Sequence, residues 1–140
     1  MGVATSIVES VFLRNGSEGT YTKLYTNFDE QELSTVMSLI SLQKDESPII
    51  VCLLKNWLVI TNQKTIWYTD EGVKTLDHSQ LVDATIDRSL AIKRGVMGAS
   101  DLEDIKLITK NNTDITIHIE RGQPFSGIWN VLKFLASRDN

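Results

Sequence analysis

The chain has 140 residues, 41% of them hydrophobic, which is the size and composition of one folded domain and not of a disordered tail. Its 14 lysines and arginines against 18 aspartates and glutamates give a net charge of -4 with no basic stripe for phosphate contacts, which argues against a nucleic-acid partner. No apolar run approaches the ~18 residues of a membrane span, no basic cap followed by an apolar block marks a secretory leader, and the single cysteine, Cys52, has no internal partner, so a soluble cytoplasmic protein is expected.

Residues 1–47 hold three basic side chains (Arg14, Lys23, Lys44) and seven acidic ones, whereas the rest of the chain holds 11 of each. In this N-terminal extension Val8, Val11 and Phe12 fit one side of a short helix, and residues 20–26 alternate like an edge strand around Tyr21 and Tyr25. Asp29 then stands as an N-cap, with Glu30 and Glu32 in the first turn. Leu33, Val36, Met37 and Ile40 follow at helical spacing, which predicts an amphipathic helix ending near Leu42. Residues 43–48 are polar, closed by Pro48, and connect the helix to the body of the chain.

The body, residues 48–140 of a single expected domain, is strand-rich. Residues 49–54 and 57–61 are branched and aromatic, with Lys55 and Asn56 as a tight turn between them. Residues 65–69 and 73–76 follow, separated by Asp70, Glu71 and Gly72. Residues 81–86 form a half-buried strand with Val82, Ala84 and Ile86 on one face. Residues 88–101 contain two glycines and a local basic excess, the composition of a longer loop with room for a short strand around residues 90–93. Asn111 and Asn112 turn a hairpin between residues 105–109 and 115–119, and Pro124 opens a final helix with a stripe of Phe125, Ile128, Val131, Leu132 and Leu135. The fold class expected is therefore α+β: a bent antiparallel sheet or partly open barrel of about six or seven strands, closed by a C-terminal helix.

This order of elements resembles the pleckstrin-homology-like fold, including its bacterial and GRAM-type members. The likeness is carried by WLVITNQKTIWYTDEGVKTLDHSQLVDATID at residues 57–87, by IKLITKNNTDITIHI, and by FSGIWNVLKFL, and it spans residues 48–137. It implies a scaffold that hosts lipid binders, peptide binders and structural modules. Phosphoinositide-binding members cluster Lys and Arg in the first strand pair and its loop, where this chain offers Lys55 beside Asn56. The lipid site of the family therefore has no counterpart residues here.

No catalytic constellation, metal set or cofactor motif emerges. One cysteine and two distant histidines do not make a zinc site. Asp77, His78 and Ser79 are consecutive, and neighbours in an extended chain face opposite ways, so a turn with a solvated histidine is expected rather than a triad. His118 shares a strand face with Thr116 and Glu120, the pattern of an exposed polar face. Met1, Gly2 and Ser6 meet the minimal N-myristoylation pattern, with no basic cluster to supply a second anchor.

Three surfaces remain as candidates. Trp57, Trp67 and Tyr68 offer a partly exposed aromatic face for protein contact, while Trp129 belongs to the helix packing. Asp29, Glu30 and Glu32 are candidates for acidic docking, and Arg88, Lys93 and Arg94 for anion binding. The expected function is a noncatalytic protein-interaction or scaffold module, with a protein partner that includes another copy of the chain. The alternative is an immunity or inhibitor protein that binds a basic toxin through its acidic N-terminal third. Membrane recruitment through the 88–94 loop is weaker, because an acidic chain is repelled by anionic lipid.

Overall fold

The computed structural model describes residues 3–138; Met1 and Gly2 of the acylation pattern lie outside them. The architecture is α+β, with two antiparallel sheets and four helices, and the sheets do not close into a barrel. Helix α1 (Thr5–Asn15) precedes β1 (Thr22–Leu24), a 3-10 turn at Tyr25–Asn27, and helix α2 (Glu30–Ser38). Strands β2 (Pro48–Cys52), β3 (Leu58–Thr61), β4 (Lys64–Thr69) and β5 (Gly72–Asp77) follow, and β1 to β5 pair in chain order as one five-stranded meander. Strands β6 (Leu81–Thr85), β7 (Asp104–Thr109) and β8 (Asp114–His118) form the second sheet, with a short helix α3 (Arg88–Lys93) between β6 and β7. Helix α4 (Gln123–Ser137) ends the fold and packs against α1 and β6.

The five-stranded sheet is buried on both faces at β2, β3 and the middle of β4, which is why these strands are continuous apolar runs instead of alternating ones. Ile50, Cys52, Leu58, Ile60 and Trp67 point into the main core, which they share with Val8 and Phe12 of α1, Leu107 of β7, and Ile128 and Leu132 of α4. Their in-between neighbours Val51, Val59 and Ile66 point the other way and are covered by Leu33 and Val36 of α2, with Trp57 beside them. Burying a side chain such as Leu33 is worth about 1.5–3 kcal/mol, so the cover is a substantial part of what holds α2 in place. Residues 3–47 are thus built into both cores through α1, β1 and α2.

Helices α1 and α4 approach closely enough to require glycine at the crossing. A Cβ on Gly127 would lie 2.6 Å from the Phe12 ring, and one on Gly16 would lie 2.3 Å from the Gln123 carbonyl oxygen. The Ser126 hydroxyl also donates to the Asn15 carbonyl at 2.6 Å, closing the C-terminal end of α1.

Several expectations are corrected. The β2–β3 connection is not a tight turn at Lys55 and Asn56: Cys52 pairs with Leu58, and the intervening loop is held open because the Leu53 N–H donates to the Tyr21 carbonyl. Helix α2 stops at Ser38, short of Leu42, because residues 41–47 are drawn to the β3–β4 turn. There Lys64 Nζ donates to the Ser41 carbonyl, the Ser47 N–H donates to Asn62 Oδ1, and Glu46 enters the protein. In β6 a register shift between Leu81 and Asp83 reverses the facing pattern, so Leu81 and Ala84 point inward and Val82 is 49% exposed. The 88–93 segment is a helical turn, neither loop nor strand, capped by Asp87 Oδ1 accepting from the Leu90 N–H.

Candidate functional site

Helix α2 starts with a complete capping box. Asp29 Oδ1 accepts from the Glu32 N–H at 2.8 Å, and Glu32 Oε1 accepts from the Asp29 N–H at 3.1 Å. Two of the three acidic docking candidates therefore hold the helix end. Glu30 is different: it is exposed and, among the described residues, has no hydrogen-bond or ion-pair partner. It stands on the rim of an open groove of about 400 Å³ between α2 and the preceding 3-10 turn, lined by Tyr25, Thr26, Phe28, Glu30, Leu33, Ser34 and Met37. The groove combines two aromatic rings, a flexible thioether and one free carboxylate, and the ammonium of Lys23 lies 5.4 Å from the centre of the Phe28 ring.

The aromatic face expected from Trp57, Trp67 and Tyr68 does not exist as a surface. Trp57 and Trp67 are 6% and 7% exposed and point to opposite sides of the sheet, Trp67 into the main core and Trp57 into the layer under α2. Tyr68 is half-buried and stacks on Trp57, with ring centres 5.9 Å apart. Both tryptophans are buried because the sheet has cover on both faces. Trp129 packs as expected against the helix and sheet, and its Nε1 donates to the Ala84 carbonyl at 2.8 Å.

Of the candidate anion-binding trio, Arg94 is already paired: its Nε lies 2.7 Å from Asp104 Oδ2. Arg88 and Lys93 remain exposed on α3, near the exposed Ile92 and Met97. The same Asp104 uses its other oxygen toward His118 Nδ1 at 3.2 Å, and Glu103 accepts from Arg121 at 2.8 Å. His118 is thus hydrogen-bonded to a carboxylate whose other oxygen pairs with Arg94, which ties the end of α3 to the β7–β8 hairpin. Glu120 is engaged elsewhere: its carboxylate accepts from the Thr20 and Tyr21 N–H groups at 2.9 Å each.

His78 is a further correction, being buried instead of solvated. It sits in a 3-10 turn after β5, its N–H bonded to the Gln63 carbonyl, with Nε2 sharing a 3.0 Å hydrogen bond with the Thr65 hydroxyl and Nδ1 without a partner. Burial pushes its pKa down to about 4, against a smaller upward pull from Glu46. Glu46 is itself buried. Burial alone would raise its pKa, but hydrogen bonds from the Gln43 N–H, Thr61 and Lys64 outweigh this and hold it below the ordinary carboxylate value. Cys52 is fully buried, and desolvation raises its thiol pKa. Among the described residues no group of three or more His, Cys, Asp or Glu side chains is placed to hold a metal ion, and no helix is long and apolar enough to cross a membrane.

The chain matches no protein-family model, no curated protein and no solved structure. Phe28 is the groove residue that sequence reasoning missed. The signal was present: an aromatic residue directly before an N-cap, in reach of an apolar residue at the fourth or fifth helical position, is the pattern of a residue packing back on the first turn.

Proposed function

We propose that this protein is a noncatalytic protein-interaction module of pleckstrin-homology-like architecture, and that the side of α2 carrying Glu30 and the adjoining groove is where a partner docks. The architectural part is supported by the order of four meandering strands, β2 to β5, then three, β6 to β8, then the helix α4 packed on β6. The single observation that carries the docking part is the free carboxylate of Glu30 beside an aromatic groove, at a point where its acidic neighbours are occupied by the helix cap. Surface binding is also favoured by how the chemically active side chains are used: Cys52 and His78 are buried, and His118 is hydrogen-bonded to Asp104.

A second reading is favoured by the charge distribution. The excess of negative charge lies in residues 1–47, and three of its acidic residues, Asp29, Glu30 and Glu32, stand exposed together at the start of α2, where a basic partner would be attracted, as expected of an inhibitor that covers a basic active site. Affinity capture from the native host with the wild type and with Glu30→Lys, at low and high salt, tests both readings. The expected result is a protein retained by the wild type, lost with Glu30→Lys and weakened by salt; an inhibitor would in addition abolish that partner's activity. Identical capture by the two proteins would refute docking at α2.

A further inference from the structure

Resting on that reading, the geometry points to an arginine side chain of the partner protein as the group received by the groove beside α2. A guanidinium is planar and less strongly hydrated than an ammonium, so it can lie against an aromatic face while its aliphatic stem covers apolar surface. Tyr25 and Phe28 supply the rings, and Leu33 and Met37 supply the apolar wall. The Glu30 carboxylate at the rim is the acceptor for the guanidinium N–H groups, and a charge-assisted pair of this kind is about twice as strong as a neutral hydrogen bond.

The Phe28 ring already has a cation against it. Lys23 lies over the Phe28 ring at 5.4 Å, so the chain's own ammonium uses the same aromatic surface. Lys23 also fixes the sign of a diagnostic substitution. It repels an incoming guanidinium, and its removal strengthens binding, whereas loss of the Glu30 charge weakens it. The groove, at about 400 Å³ and open to solvent, has room for the side chain together with part of the segment that carries it.

The test is a pair of short end-capped peptides with a central arginine flanked by leucines, or with citrulline, its uncharged isostere, in the same place. Each is titrated into isotope-labelled full-length protein to about 5 mM, the range in which a single anchored side chain is detectable. Amide shifts confined to residues 23–37, with the arginine peptide bound about fivefold or more tighter than the citrulline peptide, are expected. Glu30→Gln, outside the capping box, should bring the arginine peptide down to the citrulline level, and Lys23→Met should tighten it. Equal binding of the two peptides, shifts elsewhere, or no shifts would overturn the assignment. If Lys23→Met fails to fold, the peptide pair and Glu30→Gln still decide. Should the peptides fail to discriminate while Glu30→Lys still abolishes capture of the native partner, the arginine assignment falls and the interaction-module reading stands; if Glu30 matters in neither experiment, both fall.

Discussion

The Nε2 of His78 and the hydroxyl of Thr65 are 3.0 Å apart inside the protein, and among the described residues this one hydrogen bond is all that the buried imidazole has in return for leaving water. The consequence is acid sensitivity. His78 stays neutral in the fold down to about pH 4, whereas in the unfolded chain it takes up a proton below its ordinary value of 6.5. Between those values the unfolded state binds more protons, so stability falls as pH falls from about 6.5 to 4, by on the order of 2–3 kcal/mol in all. Glu46 acts in a lower window: its contribution is complete above its ordinary value of 4.5 and is lost as pH drops through its depressed folded value. Urea unfolding at several pH values should show a steep slope across the upper window for the wild type and a flatter one for His78→Leu, with the decline below pH 4.5 kept in both. Equal slopes above pH 4.5 would mean that His78 is solvated.

Gly127→Ala should destabilise the protein by about 1–3 kcal/mol, because its new methyl group meets the Phe12 ring and the helices cannot separate without opening the core. Gly98→Ala, with open space around it, is the control and should change stability little. Thermal unfolding of the two variants checks this, and similar melting temperatures would remove the close-crossing account.

Trp67→Ala should lose about 3–5 kcal/mol through the cavity it leaves in the main core. Because Trp57 and Trp67 are both buried, the native emission should be blue-shifted, with at most the Trp129 fraction reached by acrylamide. A red-shifted native spectrum, quenched throughout, would contradict the burial.

Asp29→Ala should cost about 1 kcal/mol by removing the cap of α2, whereas Glu30→Gln should leave stability unchanged within error. The pair separates an acidic residue that builds the helix from one that faces a partner. Equal losses in denaturant titrations would show that Glu30, too, supports the helix.

What the sequence makes legible here is what is settled locally. The apolar positions of α4 all turn inward, because a helical stripe needs only one surface to pack on. The Asp29 cap follows from four consecutive residues, Asp29 to Glu32. Trp57 and Trp67 are misjudged for a non-local reason: the exposure of Trp57 depends on whether α2 folds back over β3 and β4, that of Trp67 on whether α1, β7 and α4 cover the opposite face, and the spacing within one strand carries no trace of either. Residues 88–93 are misjudged because two nearby glycines and a basic cluster mask a cap set by Asp87. The groove itself unites Tyr25, Phe28 and Met37 from a turn, a connector and a helix, so it becomes visible only once α2 has docked.

The close crossing of α1 and α4 also bears on the order in which the protein can acquire its structure. Val8 and Phe12 of α1 share the main core with α4, where Phe12 meets Gly127, 115 residues further along the chain. Their burial closes a loop of nearly the whole chain, the kind of long-range contact that slows folding. Until α4 has been made, the apolar face of α1 has no complete seat, and the nascent chain carries it exposed and open to chaperones.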